Sequence, residues 1–113
     1  MLKIDSQVVN GVTLLTLEGR LIFGQESNAL NQQIGQLREA NVQQVLLDLS
    51  GVSFIDSSGI GELIAAFTAL RKAGGTLKLC SPTQQVSEVF KIVSLPKVIE
   101  ICSTQQEALA SFE

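Results

Sequence analysis

The chain has 113 residues, 45% of them hydrophobic and 17% charged, with a net charge of −3 and no His, Trp or Tyr. That length fits one domain spanning residues 1–113 with a core of its own, needing neither metal nor disulfide. The missing His removes the commonest general base, and the acidic balance with scattered Lys and Arg argues against nucleic acid as a partner.

The expected elements follow in chain order. Residues 2–9 and 12–19 are rich in leucine and β-branched side chains, and Asn10-Gly11 between them is a strong hairpin signal. From about Ser27 to Ala40, Leu30, Ile34 and Leu37 recur at helical spacing opposite Asn31, Gln32, Gln36 and Arg38, which predicts an amphipathic helix. Residues 42–50, "VQQVLLDLS", form the nearly continuous apolar run of a strand covered on both faces. Ile60, Leu63, Ile64, Phe67 and Leu70 then place a long helix over Ser58–Ala73, with Gly74-Gly75 as its stop.

"TLKLCSP" reads as a strand ended by Pro82, and Thr83–Val93 as a helix through Val86, Val89, Phe90 and Val93. "VIEIC" suggests a last strand and "QQEALASF" a closing helix. The order ββαβαβαβα implies an α/β sandwich with a mixed β-sheet of about five strands and about four helices. Cys80 and Cys102 sit near the ends of apolar runs and are expected to be reduced core thiols. Without an apolar run of membrane-spanning length or the regions of a signal peptide, the sequence points to a cytoplasmic protein with no membrane partner.

The stretch "FIDSSGIG", residues 54–61, carries the chemistry. It places Ser57 and Ser58 at a helix N-terminus beyond the carboxyl end of a strand, where open α/β sheets usually meet their ligands. Capping accounts for one serine; the second is surplus to that role. A nucleophile elbow would need Gly two residues before the serine, where Ile55 and Asp56 stand instead, and a phosphate-binding loop would need a preceding lysine. Asp48, Asp56 and Glu62 are too dispersed to argue for a cation; Asp48 and Asp56 are expected to hold loop amides, with Glu62 in the first helical turn. No cofactor is implied. Covalent modification remains: a phosphate on a serine here meets free amide donors and the positive end of the helix dipole, and adds about −1.5 to −2 charges beside Asp56.

At "VLLDLSGVSFIDSSGIGELIAAF", residues 45–67, the chain resembles the STAS domain family, and within it the single-domain anti-sigma factor antagonists of bacteria. The opening hairpin, "LEGRL" at 17–21, Gly74-Gly75 and "VFKIVSLPKVIEI" at 89–101 extend the likeness over almost the whole chain. The resemblance implies a regulatory binding protein rather than an enzyme. Unphosphorylated, such a protein binds an anti-sigma factor that is also a serine kinase of the histidine-kinase-like fold, and so releases a sigma factor. Phosphorylation breaks that complex, and a metal-dependent serine phosphatase restores it. By position the phosphoacceptor is Ser57 rather than Ser58, with Ser58 as neighbouring hydroxyl and helix cap, Asp56 alongside, and Gly59 giving the turn.

The partner surface implied runs through Ile22, Gln25, Glu26, Asp56, Ser57, Ser58, Gly59, Ile60 and Glu62. Ile22 stands where family members often carry an acid, and Gln25 and Glu26 offer a polar contact in its place; the apolar "LIF" at 21–23 is either core or docking surface. The alternative is a STAS-like scaffold in another signalling pathway, whose helix N-terminus holds a nucleotide phosphate without covalent change.

Overall fold

The computed structural model describes residues 2–22 and 25–112, with the side chains of residues 25–28 outside that description. Its elements are β1 (Lys3–Val9), β2 (Val12–Leu21), α1 (Gln25–Glu39), β3 (Gln44–Ile55), α2 (Ser57–Lys72), β4 (Thr76–Cys80), α3 (Gln84–Ile92), a 3-10 turn (Leu95–Lys97), β5 (Ile101–Cys102) and α4 (Gln105–Ser111). The five strands form one sheet in the order β1-β2-β3-β4-β5. β1 runs antiparallel to β2, and every later pairing is parallel. This is the mixed α/β sandwich that the order of elements implies.

The hairpin closes as its two-residue turn dictates. Asn10 and Gly11 both take positive φ, 52° and 80°, the conformation that matches the right-handed twist of the flanking strands, and Val9 faces Val12. Helix α2 stops for an equally local reason. Gly74 adopts φ 87° after the cap residue Ala73, the Gly75 amide donates to the Leu70 carbonyl at 2.9 Å, and the Gly74 amide donates to Arg71 at 3.0 Å. Carbonyls of the last helical turn are thereby satisfied.

Strand alternation sorts the core into two layers. Leu15, Leu17, Val45, Leu47, Leu77 and Leu79 face α1, α2 and α3, where they meet Leu30, Ile34, Leu63, Ala66, Leu70, Val86 and Phe90. Leu14, Leu46 and Cys80 face the opposite way, onto Ala108 of α4. Each fully buried leucine contributes roughly 1.5–3 kcal/mol of transfer free energy, so the three-helix face supplies most of the stabilisation. On the thinner side polar contacts hold α4. Lys78 Nζ donates to the Ser111 carbonyl at 2.9 Å and Oγ at 2.8 Å, pairs with Glu100 at 3.4 Å and lies 4.7 Å from the Phe112 ring centre. Asp48 accepts from Gln105 Nε2 at 2.8 Å and from the Ser50 amide at 2.9 Å; because β3 continues to Ile55, that amide lies in the strand and not in the loop expected of it.

Several boundaries depart from the sequence expectation. β3 runs on through "GVSF" to Ile55 because β2 also continues to Leu21, the two ladders staying paired across register shifts between Thr16 and Glu18 and between Gly19 and Arg20. α1 begins at Gln25, two residues before Ser27. In α2, Ile64 is 37% exposed and Ala66 takes the buried position, while Val93 caps α3 half exposed rather than joining its apolar stripe. The expected strand 98–102 shrinks to Ile101–Cys102, since Leu95–Lys97 forms the 3-10 turn and Val98 is half exposed. Among the described residues no helix is long and apolar enough to cross a membrane.

Two glycines of α2 separate packing demand from helix propensity. A Cβ on Gly59 would collide with the Leu21 carbonyl and stand 2.7 Å from Ile55 Cγ1, whereas one on Gly61 would meet nothing within 4 Å. Gly59→Ala is expected to destabilise the protein by about 1–3 kcal/mol. Gly61→Ala should stabilise it by about 0.5–1 kcal/mol, both read from urea unfolding midpoints.

Candidate functional site

The long β2–β3 ladder ends with Leu21 opposite Ile55, so both strands deliver their last residues to the same edge of the sheet. There the Asp56 amide donates to the Leu21 carbonyl at 3.3 Å, and the chain turns at once into α2. Asp56 has extended backbone angles, φ −113° and ψ −175°, and its Oδ1 accepts from the Gly59 amide at 2.9 Å while its carbonyl accepts from Ile60 at 3.0 Å. Asp56 is therefore the helix cap. The expectation that Ser58 caps α2 is corrected on this point, for the physical reason that a carboxylate three residues before the Gly59 amide reaches it directly.

Ser57 and Ser58 are consequently the first two helical residues, N1 and N2, whose amides have no acceptor within the helix. Ser57 is exposed and Ser58 half-buried. The turn beneath them is rigidly seated, because Gly59 is buried against the Leu21 carbonyl with no room for a side chain. Ile60 belongs to the core at 8% exposure, so its side chain anchors the helix start from below instead of forming part of the surface.

Ile22 follows directly on Leu21, is half-buried, and lies at the same sheet edge as the serine turn. The structure thus brings Ile22 together with Asp56, Ser57, Ser58 and Gly59. Phe23, and with it part of the apolar "LIF" segment, and the side chains of Gln25 and Glu26 lie outside the described residues.

Glu62 is placed differently from expectation. With α2 starting at Ser57, it falls in the second turn, and no acidic residue occupies the first. Its carboxyl is part-buried and hydrogen-bonded to the Asn31 side chain of α1, leaving Oε2 out of contact with solvent and without a hydrogen-bond partner. Burial raises its pKa, an effect the Asn31 bond only partly opposes. The residue tethers two helices at the cost of a poorly solvated charge.

Two features escaped the sequence reading. Phe54, two residues before the cap, is 44% exposed, and Ile64 is 37% exposed. Ile64 stands seven residues beyond Ser57, so with Gly61 between them the three share one face of α2. The 4-and-7 spacing was available in the sequence; the exposure of Ile64 was not. Among the described residues no group of three or more His, Cys, Asp and Glu side chains is arranged to hold a metal ion.

A small α/β protein emerges whose best-formed polar feature is a serine pair on a buttressed helix start at the carboxyl edge of its sheet. The chain belongs to the STAS domain family, which matches residues 3–108. It is 23% identical over 112 residues to the anti-sigma F factor antagonist of Paenibacillus polymyxa, covering 99% of this chain and 96% of that one. Among solved structures it is similar to an anti-sigma factor antagonist from Mycobacterium paratuberculosis, with a TM-score of 0.84 at 22% identity over 98% of this chain and 93% of the other. It is also similar to the Bacillus cell fate determinant SpoIIAA in its phosphorylated form, with a TM-score of 0.72 at 19% identity over 100% of both chains.

The raised pKa of Glu62 has a definite sign. The folded protein holds this proton more tightly than the unfolded chain, so stability falls as pH rises from the ordinary value of 4.5 through the raised value, and the penalty persists above it. Glu62→Gln should therefore raise Tm at pH 7 and lose that advantage towards pH 4, as followed by thermal unfolding across pH.

Proposed function

We propose that this chain is an anti-sigma factor antagonist switched by phosphorylation of Ser57, a regulatory binding protein and not an enzyme. The observation carrying the reading is the exposed hydroxyl at N1 of α2, set on a turn that Asp56 caps and the Leu21 carbonyl supports. Relatives of this chain bear the antagonist name, and SpoIIAA, of the same fold, has a structure in a phosphorylated form. Ser57 is favoured over Ser58 because it is the more exposed of the two.

The unphosphorylated form binds an anti-sigma factor that doubles as a serine kinase of the histidine-kinase-like fold, and the sigma factor is released. The partner covers Ser57, the half-buried Ile22 and the exposed faces of Phe54 and Ile64. An aromatic and an aliphatic side chain beside a small polar turn give such a contact apolar anchors. The kinase transfers a phosphoryl group to the Ser57 hydroxyl oxygen, and a metal-dependent serine phosphatase removes it by hydrolysis.

The phosphate has a physical reason to act on the partner rather than on the fold. At a helix N-terminus its charge is stabilised by the dipole, an effect of about 0.3–1 kcal/mol, and by amides already lacking acceptors. The folded protein accommodates it, while about −1.5 to −2 charges next to Asp56 repel an acidic surface and resist desolvation under any docked one. Exchange of Ser57 should consequently change binding far more than stability.

The test is phosphopeptide mapping of the chain isolated from its host, together with affinity for the co-purifying serine kinase. One phosphate is expected on Ser57. Ser57→Ala should abolish phosphorylation and bind as wild type, and Ser57→Asp should bind at least about tenfold more weakly, equivalent to roughly 1.4 kcal/mol. An unmodified turn in every growth condition, with Ser57→Asp binding undiminished, would defeat the reading.

A further inference from the structure

Cys80 ends β4 and Cys102 ends β5, and the two are direct register partners on neighbouring parallel strands. In-register residues of adjacent strands project to the same face, and both cysteines pack into the smaller core layer under α4, whereas their neighbours Leu79 and Ile101 pack into the other. Both are free thiols, Cys80 fully buried and Cys102 part-exposed on the edge strand. Neighbouring strands lie about 4.7–4.9 Å apart, within the separation a disulfide spans between Cα atoms.

We propose that Cys80 and Cys102 form a thiol pair that a hydroperoxide converts into an intramolecular disulfide, a modification site separate from the serine turn. The Cys102 sulfur, the accessible one, attacks the peroxide O–O bond. An S–O bond forms, the O–O bond breaks, an alcohol or water leaves, and Cys102 becomes a sulfenic acid. The Cys80 sulfur then attacks Cys102 Sγ, the S–S bond forms as the S–O bond breaks, and the hydroxyl departs as water with the Cys80 proton. Two thiols have lost two electrons, and the peroxide has gained them.

The surroundings set the character of this reaction. Burial, with a smaller contribution from Asp48, pushes the Cys80 thiol up to about 12, and burial also raises Cys102. Neither sulfur is an activated nucleophile, so oxidation belongs to the slow end of the seconds-to-hours range for disulfide formation. The bond must draw the Cβ atoms from strand spacing to about 3.8 Å, and strained disulfides of this kind are the readily reduced ones.

The structural consequence is local. β5 has two residues, and besides its pairing with β4 the connection rests on Leu79 donating to the Glu100 carbonyl and Ser81 donating to the Cys102 carbonyl, both at 3.0 Å. A covalent link there closes the loop of residues 80–102, which carries α3 and the 3-10 turn, and ties the edge strand to the sheet. The pair lies on the α4 face, across the sheet from α2, so the oxidation does not occupy the surface assigned to the serine turn.

The test treats the reduced 113-residue chain with hydrogen peroxide and follows intact mass, tryptic peptides and thermal unfolding. Expected are a loss of two hydrogens, a cross-link joining peptides 79–91 and 98–113, a raised Tm, and full reversal by dithiothreitol. Cys80→Ala should stop at a sulfenic acid on Cys102 that dimedone traps, and Cys102→Ser should leave Cys80 unmodified. Covalent dimers alone, independent oxidation of the two sulfurs, or an unchanged mass in the wild-type protein would overturn the proposal.

Discussion

The Leu21 carbonyl is the point on which the working end of this protein depends. It accepts the Asp56 amide and stands where a Cβ on residue 59 would have to go, so the end of β2, the end of β3 and the start of α2 are fixed against one another. That contact exists only because the β2–β3 ladder runs parallel as far as Leu21 and Ile55. Shorten either strand and the serine turn loses its support. The Asp-Ser-Ser-Gly order at residues 56–59 thus has a structural rationale: the acid caps, the first serine is presented, and the glycine admits a neighbouring strand's backbone.

Around this point the two faces of the sheet are unequal. Three helices bury a continuous aliphatic layer on one side, while α4 sits on a smaller cluster and is held by Lys78 and by the Asp48–Gln105 bond. The helix start that carries Ser57 is anchored in the larger layer through Ile60 and Leu63, so the proposed phosphate would be presented by a firm base. The thiol pair sits in the smaller layer near a two-residue edge strand, where one covalent bond changes local stability most.

Glu62 illustrates the difference between a residue that suits a helix in the abstract and one that suits this packing. An acid early in α2 ought to benefit from the helix dipole, but cap placement at Asp56 moves Glu62 to the second turn and against α1. There it exchanges solvation for a bond to Asn31, and its second oxygen is left without a partner. The arrangement couples α1, which follows the Ile22 segment, to the helix that bears Ser57.

The local elements were legible in the residues because their causes are local. Asn10-Gly11 required the hairpin, Gly74-Gly75 ended α2, Leu30 and Ile34 marked the buried side of α1, and Phe54–Gly61 announced a hydroxyl pair at a helix start. What the tertiary structure alone decided were relations between distant segments. Asp56 rather than Ser58 caps the helix, β3 extends to Ile55 because β2 extends to Leu21, Ile64 is left partly exposed while Ala66 is buried, and Cys80 faces Cys102 because their strands are in register. The physical reason is range. Turn chemistry and side-chain periodicity act within a few residues and are written in the order of the chain. Register, burial and the pairing of two cysteines 22 positions apart depend on which strands lie side by side, and only the folded sheet settles that.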